Sequence, residues 1–114
     1  MHEYQATITR VIDGDTVEAD VDLGFGVFMH RQTFRMDGIQ APEMRDGFRG
    51  IQSSYALEQL VEGYEVTLRT TRNRRGVDQK GKYGRWLATI LIPEMGNLNV
   101  NEWMVSEGHA TVYE

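Results

Sequence analysis

Cysteine is absent from the 114 residues, and proline occurs only twice. The lack of cysteine excludes disulfide bridges, thiolate zinc sites and cysteine nucleophiles. Long apolar runs are missing too: none approaches the roughly 18 residues of a membrane-spanning helix, and the first residues lack the basic and apolar regions of a signal peptide. We therefore expect a single water-soluble domain over residues 1–114 that does not associate with membranes.

An excess of positive charge is also missing, which at first argues against a polyanionic ligand. The 12 lysines and arginines are outnumbered by 17 acidic residues, for a net charge of −5. Seven of the 12 basic residues nevertheless lie in residues 69–85, where Asp78 is the only acid, so this segment carries +6 and the rest of the chain −11. Such asymmetry concentrates a field that attracts phosphates, although a basic loop is also typical of a plain solvated surface.

Three extended segments come first in the chain. Residues 4–12 are rich in β-branched side chains, residues 17–23 alternate strictly between apolar and acidic positions, and residues 27–36 form a third run. Asp13 and Gly14 separate the first two segments and favour a tight hairpin turn with positive φ angles. A glycine-rich turn at residues 24–26 follows, so the pattern predicts a three-stranded meander.

A helical pattern follows an irregular stretch at residues 39–50 and ends near Gly63, which is typical of a helix C-terminus. The apolar side chains that lie near a 3.6-residue spacing, and that we expect to be buried, are Ile51, Tyr55, Leu57, Leu60 and Val61.

The last third of the sequence predicts two strands and a short helix. Alternation returns at residues 64–70, and an apolar run occupies residues 86–92. Asn99, with Glu102 three residues later, predicts the N-cap of a helix that runs to Gly108. The order β-β-β-α-β-β-α predicts an all-β or α+β domain with an OB fold, a five-stranded Greek-key barrel with two short helices.

Four clusters contain residue types that suit phosphate chemistry, and each also has a purely structural interpretation. Asp13 and Asp15 flank a glycine, as in many turns, but carboxylates so placed also bind hard cations such as Mg²⁺ and Ca²⁺. Arg35 ends a strand, where its guanidinium either meets solvent or holds a phosphate. Glu43 follows Pro42 in a loop, which is the usual setting of a surface residue.

The fourth cluster is the sequence KYGRW at residues 82–86. Its structural interpretation is a loop-to-strand junction at which Trp86 enters the core. Its functional interpretation is a phosphate grip beside an aromatic ring on which a base stacks.

The order of these clusters resembles that of the staphylococcal nuclease (thermonuclease) family. The matching motifs are IDGDT at residues 12–16, FR at 34–35, GIQAPE at 38–43, KYGR at 82–85 and VNE at 100–102. The resemblance extends from about residue 7 to residue 112 and implies the OB fold that the pattern already predicts. It also implies Ca²⁺-dependent hydrolysis of phosphodiester bonds in DNA and RNA, with little sequence preference and with 3′-phosphate products.

The resemblance implies a metal site with one departure from the family. Asp15 would bind the ion directly, Asp13 through water and Ala41 through its backbone carbonyl. Gln40 stands where the family usually has a second aspartate ligand. Because Gln offers a carbonyl oxygen but no charge, we expect a weakened Ca²⁺ site or a shift toward Mg²⁺ or Mn²⁺. Asp37 either restores the missing charge or is only an exposed or ion-paired carboxylate.

The resemblance also implies the catalytic and substrate-binding residues. Glu43 would position or deprotonate the attacking water. Arg35 and Arg85 would hold the scissile phosphate and neutralise the charge of the transition state. Lys82 and Tyr83 would line the nucleotide pocket.

The family resemblance and the departure at Gln40 lead to two candidate functions of different classes. The first is a metal-dependent, sugar-nonspecific nuclease, because the carboxylates and arginines that the reaction needs are in their places. The alternative is a catalytically impaired module of the same fold that binds nucleic acid or protein. For the nuclease we expect DNA or RNA as the partner, with a preference for single-stranded or frayed substrates, and a monomeric protein. We also expect a cytoplasmic or otherwise intracellular location, which would also suit a virus-encoded protein.

Overall fold

The computed structural model describes residues 2–72, 75–80 and 84–113 of the chain. The long strands are β1 (Glu3–Asp13), β2 (Thr16–Asp22), β3 (Phe28–Met36), β5 (Glu65–Thr70) and β6 (Trp86–Ile92). Three two-residue strands are β4 (Ile39–Gln40), β7 (Leu98–Asn99) and β8 (Thr111–Val112). The helices are α1 (Phe48–Val61) and α2 (Val100–Ser106), and short 3-10 turns cover Met44–Asp46 and Pro93–Met95.

The five long strands close into a barrel. Antiparallel pairing gives the order β3-β2-β1-β5-β6, and parallel pairing of β3 with β6 completes the circuit, with residues 34–36 opposite residues 86–88. Strand β7 extends β6 outside this circuit. The closed, mixed barrel with its two helices confirms the OB fold that the sequence predicts.

One apolar core fills the barrel and continues under both helices. Inward-facing side chains alternate along the strands because successive residues point to opposite faces of the sheet. The largest contributions come from Ile8, Val17, Phe34, Leu68 and Ile90 of the strands and from Leu57, Val61, Val100 and Met104 of the helices.

Helix α1 differs from the sequence prediction in its start and in its buried face. It begins at Phe48, and the expected core residues Ile51 and Tyr55 are exposed. The prediction was therefore wrong for two of the five residues of the apolar stripe, although Leu57 and Val61 are buried. The N-terminal half of α1 packs instead through small residues, Gly50, Ser53 and Ser54, because it lies too close to the neighbouring backbone for larger side chains.

The predicted N-cap of α2 is confirmed. The Asn99 side chain accepts a hydrogen bond from the Glu102 amide at 3.0 Å, and the helix ends at Ser106, before Gly108. Within the described ranges, no helix combines the length and the apolar character needed to cross a bilayer.

Gly14 is needed for space and not for a special φ angle. Neither Asp13, Gly14 nor Asp15 has a positive φ, so the predicted conformation of this turn was wrong. A Cβ atom on Gly14 would lie 2.0 Å from Ser53 Oγ and 2.9 Å from Ala41 Cβ. Ser53 Oγ in turn donates a hydrogen bond to the His109 carbonyl at 2.7 Å. The β1–β2 turn, α1 and the chain after α2 therefore pack tightly around one point.

Strands β4 and β8 form a separate two-stranded sheet that the sequence does not predict. Ile39 lies opposite Val112 and Gln40 opposite Thr111, and the Tyr113 amide donates to the Gly38 carbonyl at 2.9 Å. This pairing brings the end of the chain beside the segment that follows β3.

Candidate active site

A cleft of about 330 Å³ lies where β1 turns into β2, beside the end of β3 and the start of β6. Seven of the nine site residues predicted from the sequence line it: Asp13, Asp15, Arg35, Gln40, Ala41, Glu43 and Arg85. The other two, Lys82 and Tyr83, lie outside the described residues. We refer to this space as the first cleft.

Asp15 is fixed at the floor of the first cleft. Asp15 is only 7% exposed, and its carboxylate accepts hydrogen bonds from the Ala41 amide at 2.8 Å and the Thr16 hydroxyl at 2.9 Å. Its backbone carbonyl accepts the Met36 amide at 2.7 Å. The Ala41 amide and the Thr16 hydroxyl therefore hold the carboxylate while the Met36 amide holds the Asp15 backbone, which leaves the side chain little freedom to change its orientation.

Arg35 extends into the same space from the end of β3. Its Nη1 donates to the Met36 carbonyl at 2.7 Å, and its Nη2 lies 3.5 Å from Asp15 Oδ2. The guanidinium stands 5.9 Å from the centre of the Tyr113 ring, within the range of a cation–π contact. Because these contacts hold a side chain that is 15% exposed, the guanidinium is directed into the cleft before any ligand arrives.

Asp13 lies near two further carboxylates of the cleft, those of Asp15 and Glu43. Burial raises its pKa, and the nearby charges of Asp15 and Glu43 raise it further. The hydrogen bond from the Met44 amide, at 3.1 Å, and the charge of Arg85 lower the pKa but do not outweigh these effects. Because Asp37 also lines the cleft, four acidic residues and the two arginines Arg35 and Arg85 are found in the described part of its lining.

Glu43 stands at the rim, where it begins the 3-10 turn Met44–Asp46. Its amide donates to Asp46 Oδ2 at 2.8 Å, and the Asp46 amide donates back to the Glu43 carbonyl at 2.8 Å. Its side chain is half exposed and forms an ion pair with Arg45. The backbone of Glu43 is therefore held firmly, while its carboxylate can reach water.

The donors of the cleft suit a hard cation only in part. They are all oxygens, from Asp15, Asp13, the Gln40 side chain and backbone carbonyls, and such ligands are what Ca²⁺ and Mg²⁺ prefer. No group of three or more acidic or histidine side chains is gathered around one point in the part of the chain that the structure describes. These residues fit an ion that takes most of its ligands from water and substrate, as Mg²⁺ commonly does.

Other residues of the cleft had no role in the family-based assignment. Tyr113 lines the cleft next to Arg35, and Leu87 and Met36 form an apolar wall. Tyr113 is placed there by the β4–β8 pairing, and a two-residue strand gives no periodic signal that could have predicted it. Asp37 also lines the cleft, but its carboxylate accepts a hydrogen bond from the Thr71 hydroxyl.

Comparison with known proteins identifies the family. Residues 33–114 match the family model described as staphylococcal nuclease homologue. The chain belongs to the staphylococcal nuclease family. The resemblance of the ordered motifs is thereby confirmed, and the matched segment includes five of the seven predicted site residues that line the cleft, namely Arg35, Gln40, Ala41, Glu43 and Arg85.

Several curated relatives of this staphylococcal nuclease family member carry nuclease names. A protein of Escherichia coli O157:H7 named uncharacterized endonuclease is 35% identical over 112 residues, which are 98% of this chain and 63% of the relative. A micrococcal nuclease of Shigella flexneri is 29% identical over 119 residues, 97% of this chain and 59% of the relative. The chain thus spans about three fifths of the length of these relatives.

Proposed function

We propose that the protein is a metal-dependent, sugar-nonspecific nuclease that hydrolyses phosphodiester bonds in DNA and RNA. The observation that carries the proposal is the convergence of Asp15, Arg35, Glu43 and Arg85 on one cleft, in a chain of the staphylococcal nuclease family. Hydrolysis of a phosphodiester requires an activated water in line with the leaving oxygen and positive charge at the phosphoryl oxygens. The first cleft contains candidates for each part.

Arg35 and Arg85 bind the phosphoryl oxygens in this proposal. The Arg35 fork is held by the Met36 carbonyl and by Asp15, so its remaining N–H groups are oriented before substrate binds. Preorganised donors stabilise the charge that develops in the transition state without a reorganisation cost at the moment of reaction. Tyr113, under the guanidinium, keeps that side chain from turning toward solvent.

Glu43 orients the attacking water and accepts its proton. Its half-exposed carboxylate is accessible to water at the rim of the cleft, while the 3-10 turn holds its backbone. The proton passes from the water to Glu43 as the water oxygen bonds to phosphorus. The bond to the 5′ oxygen breaks, and that oxygen leaves as the 5′ hydroxyl after it takes a proton from solvent. The 3′ side then retains the phosphate, which is the product that the family resemblance implies.

Asp15, assisted by Asp13, the Gln40 side chain and the Ala41 carbonyl, would hold a divalent cation, with Ca²⁺ as the family's usual ion and Mg²⁺ or Mn²⁺ as alternatives. Such an ion supplies Lewis acidity at the phosphoryl oxygen when bound. Burial is the chief cause of the raised pKa of Asp13, and the charges of Asp15 and Glu43 raise it further, so a cation bound here would relieve the repulsion between these carboxylates. With Gln40 in place of a carboxylate, we infer a weak site that substrate phosphates help to complete.

A second candidate function is a binding module that has lost catalysis. Gln40, together with the lack of three gathered acidic ligands in the described ranges, favours this alternative. In that case the protein binds single-stranded or frayed nucleic acid in the first cleft but does not cleave it.

One assay separates the two functions. Purified protein is incubated with single- and double-stranded DNA and RNA in Ca²⁺, Mg²⁺, Mn²⁺ or EDTA, and the products are tested for 3′-phosphate ends. We expect metal-dependent cleavage that falls by about 10²- to 10³-fold in Arg35→Ala and is nearly lost in Glu43→Ala. Arg10→Ala and Glu65→Ala, exposed and outside the cleft, serve as controls. Binding without cleavage in every metal would establish the module instead.

A further inference from the structure

A second cleft, of about 620 Å³, adjoins the first and has no part in the proposed reaction. The two clefts share Gln40, Ala41 and Glu43 as a common wall. The opposite wall of the second cleft is made by the N-terminal half of α1 and by residues 108–111. Its volume lies in the ordinary range of ligand-binding pockets, roughly 300 to 1,000 Å³.

Two arginines with exposed side chains line the second cleft. Arg49 is exposed, and it forms no ion pair with any residue that the structure describes. Arg45 has a side chain that is 83% exposed, and its partner is Glu43, which belongs to both clefts. The lining also includes two acids: Glu43 forms the ion pair with Arg45, and Asp46 accepts the Glu43 amide. Among the described residues of the second cleft, Arg49 is therefore the arginine that has no ion pair and is accessible to an anionic ligand.

Besides its charged groups, the second cleft is lined by several polar side chains. Gln52 and Thr111 offer hydrogen-bond donors and acceptors, and His109 packs against Trp103 with 5.8 Å between the ring centres. Exposed arginines beside neutral polar groups suit phosphates and sugars and do not select particular bases. Arg49 and these polar groups therefore suit the sugar-phosphate backbone of a strand.

The common wall determines which part of a substrate would reach this cleft. A strand whose scissile phosphate lies against Arg35 and Arg85 must extend beyond the first cleft, and the second cleft meets the first at Gln40, Ala41 and Glu43. We propose that the second cleft binds the nucleic-acid strand on one side of the scissile phosphate, with Arg49 and Arg45 contacting its backbone phosphates. This inference rests on the proposed nuclease function.

The test uses oligonucleotides with one cleavable phosphodiester and slowly cleaved phosphorothioates elsewhere. One substrate has no extension, one is extended by several nucleotides on the 5′ side and one on the 3′ side. Wild type is compared with Arg49→Gln and with the matched control Arg10→Gln, an exposed arginine that lines none of the described clefts. The readouts are KM and kcat in metal, and Kd in EDTA over a range of salt concentrations.

We expect Arg49→Gln to raise KM and Kd by about tenfold, the equivalent of 1.4 kcal/mol, for the substrate extended on one side only. The unextended substrate and kcat should be unaffected. The slope of log Kd against log salt should fall by about 0.7, the value for one phosphate contact on a single strand. Arg10→Gln should match wild type throughout.

Three results would overturn the inference: no change in Arg49→Gln, an equal change for all three substrates, or an equal change in Arg10→Gln. Failure of the proposed function is distinguishable, because it appears as absence of cleavage by wild type with every metal. The Kd measurements in EDTA need no turnover, so they still decide for or against the second cleft in that event.

Discussion

At the residue scale, the first cleft is defined by negative charge that its own arginines do not balance. Arg35 contacts Asp15 at 3.5 Å, but the pKa of Asp13 is still raised, chiefly by burial and then by its carboxylate neighbours. Adding or removing one negative charge in the first cleft should therefore change the affinity for a cation and the free energy of unfolding in opposite directions. Two substitutions test this relation.

Gln40→Asp should tighten Ca²⁺ binding by about tenfold, which corresponds to 1.4 kcal/mol. The reason is that it adds a charged oxygen ligand to a site whose affinity depends on ligand charge. Isothermal calorimetry measures the affinity. The control is Gln59→Asp, which adds the same charge at an exposed position of α1 outside the described clefts. If Ca²⁺ affinity is equal in wild type and Gln40→Asp, residue 40 does not contact the ion.

Asp13→Asn should make the folded protein more stable at neutral pH. Because the pKa of Asp13 is raised on folding, the folded state binds this proton more tightly than the unfolded chain, and the stability contribution of Asp13 is lost as the pH rises through the folded pKa. The amide cannot ionise, so the variant avoids this loss. Urea unfolding should give a gain at neutral pH that disappears below the ordinary carboxyl range, about pH 4.

Asp20→Asn is a control for this experiment, because its effect on stability should have the opposite sign to that of Asp13→Asn. The hydrogen bond from the Arg31 amide, followed by the His30 contacts, holds the pKa of Asp20 below its usual value. Its contribution to stability is present above the ordinary pKa and is lost as the pH falls through the folded pKa. Asp20→Asn should therefore lose stability at neutral pH. If both variants shift the same way, the charge of the cleft is not the cause.

At the scale of elements, the long strands could be predicted from alternation and β-branched composition, because each has one face in the barrel core. The buried face of α1 could not be predicted in this way. The small residues Gly50, Ser53 and Ser54 are buried there because the helix packs closely, while the apolar Ile51 and Tyr55 are exposed. Periodicity methods assume that buried positions are apolar, which fails where backbones approach closely. That the site residues lie together could be predicted only from the ordered motifs of the family, and the role of each residue stays a prediction.

Gly50→Ala should destabilise the protein, although alanine favours helix over glycine by as much as about 1 kcal/mol. The new Cβ would lie 1.8 Å from the Glu43 carbonyl oxygen, so the backbone of the 3-10 turn must move. We expect a net loss of about 1–3 kcal/mol in urea unfolding, together with a lower kcat because Glu43 is displaced.

The control for this change is Gln52→Ala on the exposed part of the same helix, which should remain within about 0.5 kcal/mol of wild type. A Gly50→Ala protein as stable as wild type would mean that α1 does not pack against the turn as closely as described.

At the scale of the whole molecule, an acidic protein concentrates its positive charge in residues 69–85. The single acid of that segment, Asp78, is occupied internally: it accepts hydrogen bonds from the Thr70 hydroxyl at 2.7 Å, Tyr4 at 3.0 Å and Arg72 at 2.9 Å. Burial alone would raise the pKa of Asp78, but these bonds and the Arg72 charge hold it below its usual value, so it is ionised at neutral pH. It anchors the start of the segment to β1 and β5, and Arg85 at the end of the segment lines the first cleft.

This distribution predicts weak nucleic-acid binding that depends steeply on salt and on the local segment. Each phosphate contact on a single strand adds about 0.7 to the slope of log Kd against log salt. Arg75→Gln, within the segment, should lower that slope by about this amount, whereas Arg31→Gln, exposed outside the segment, should leave it unchanged. Fluorescence anisotropy with a labelled single-stranded oligonucleotide in EDTA gives both slopes. Equal slopes in the two variants would mean that binding to nucleic acid depends on the net charge of the chain and not on the basic segment. In that case salt screens the charge of the whole acidic surface.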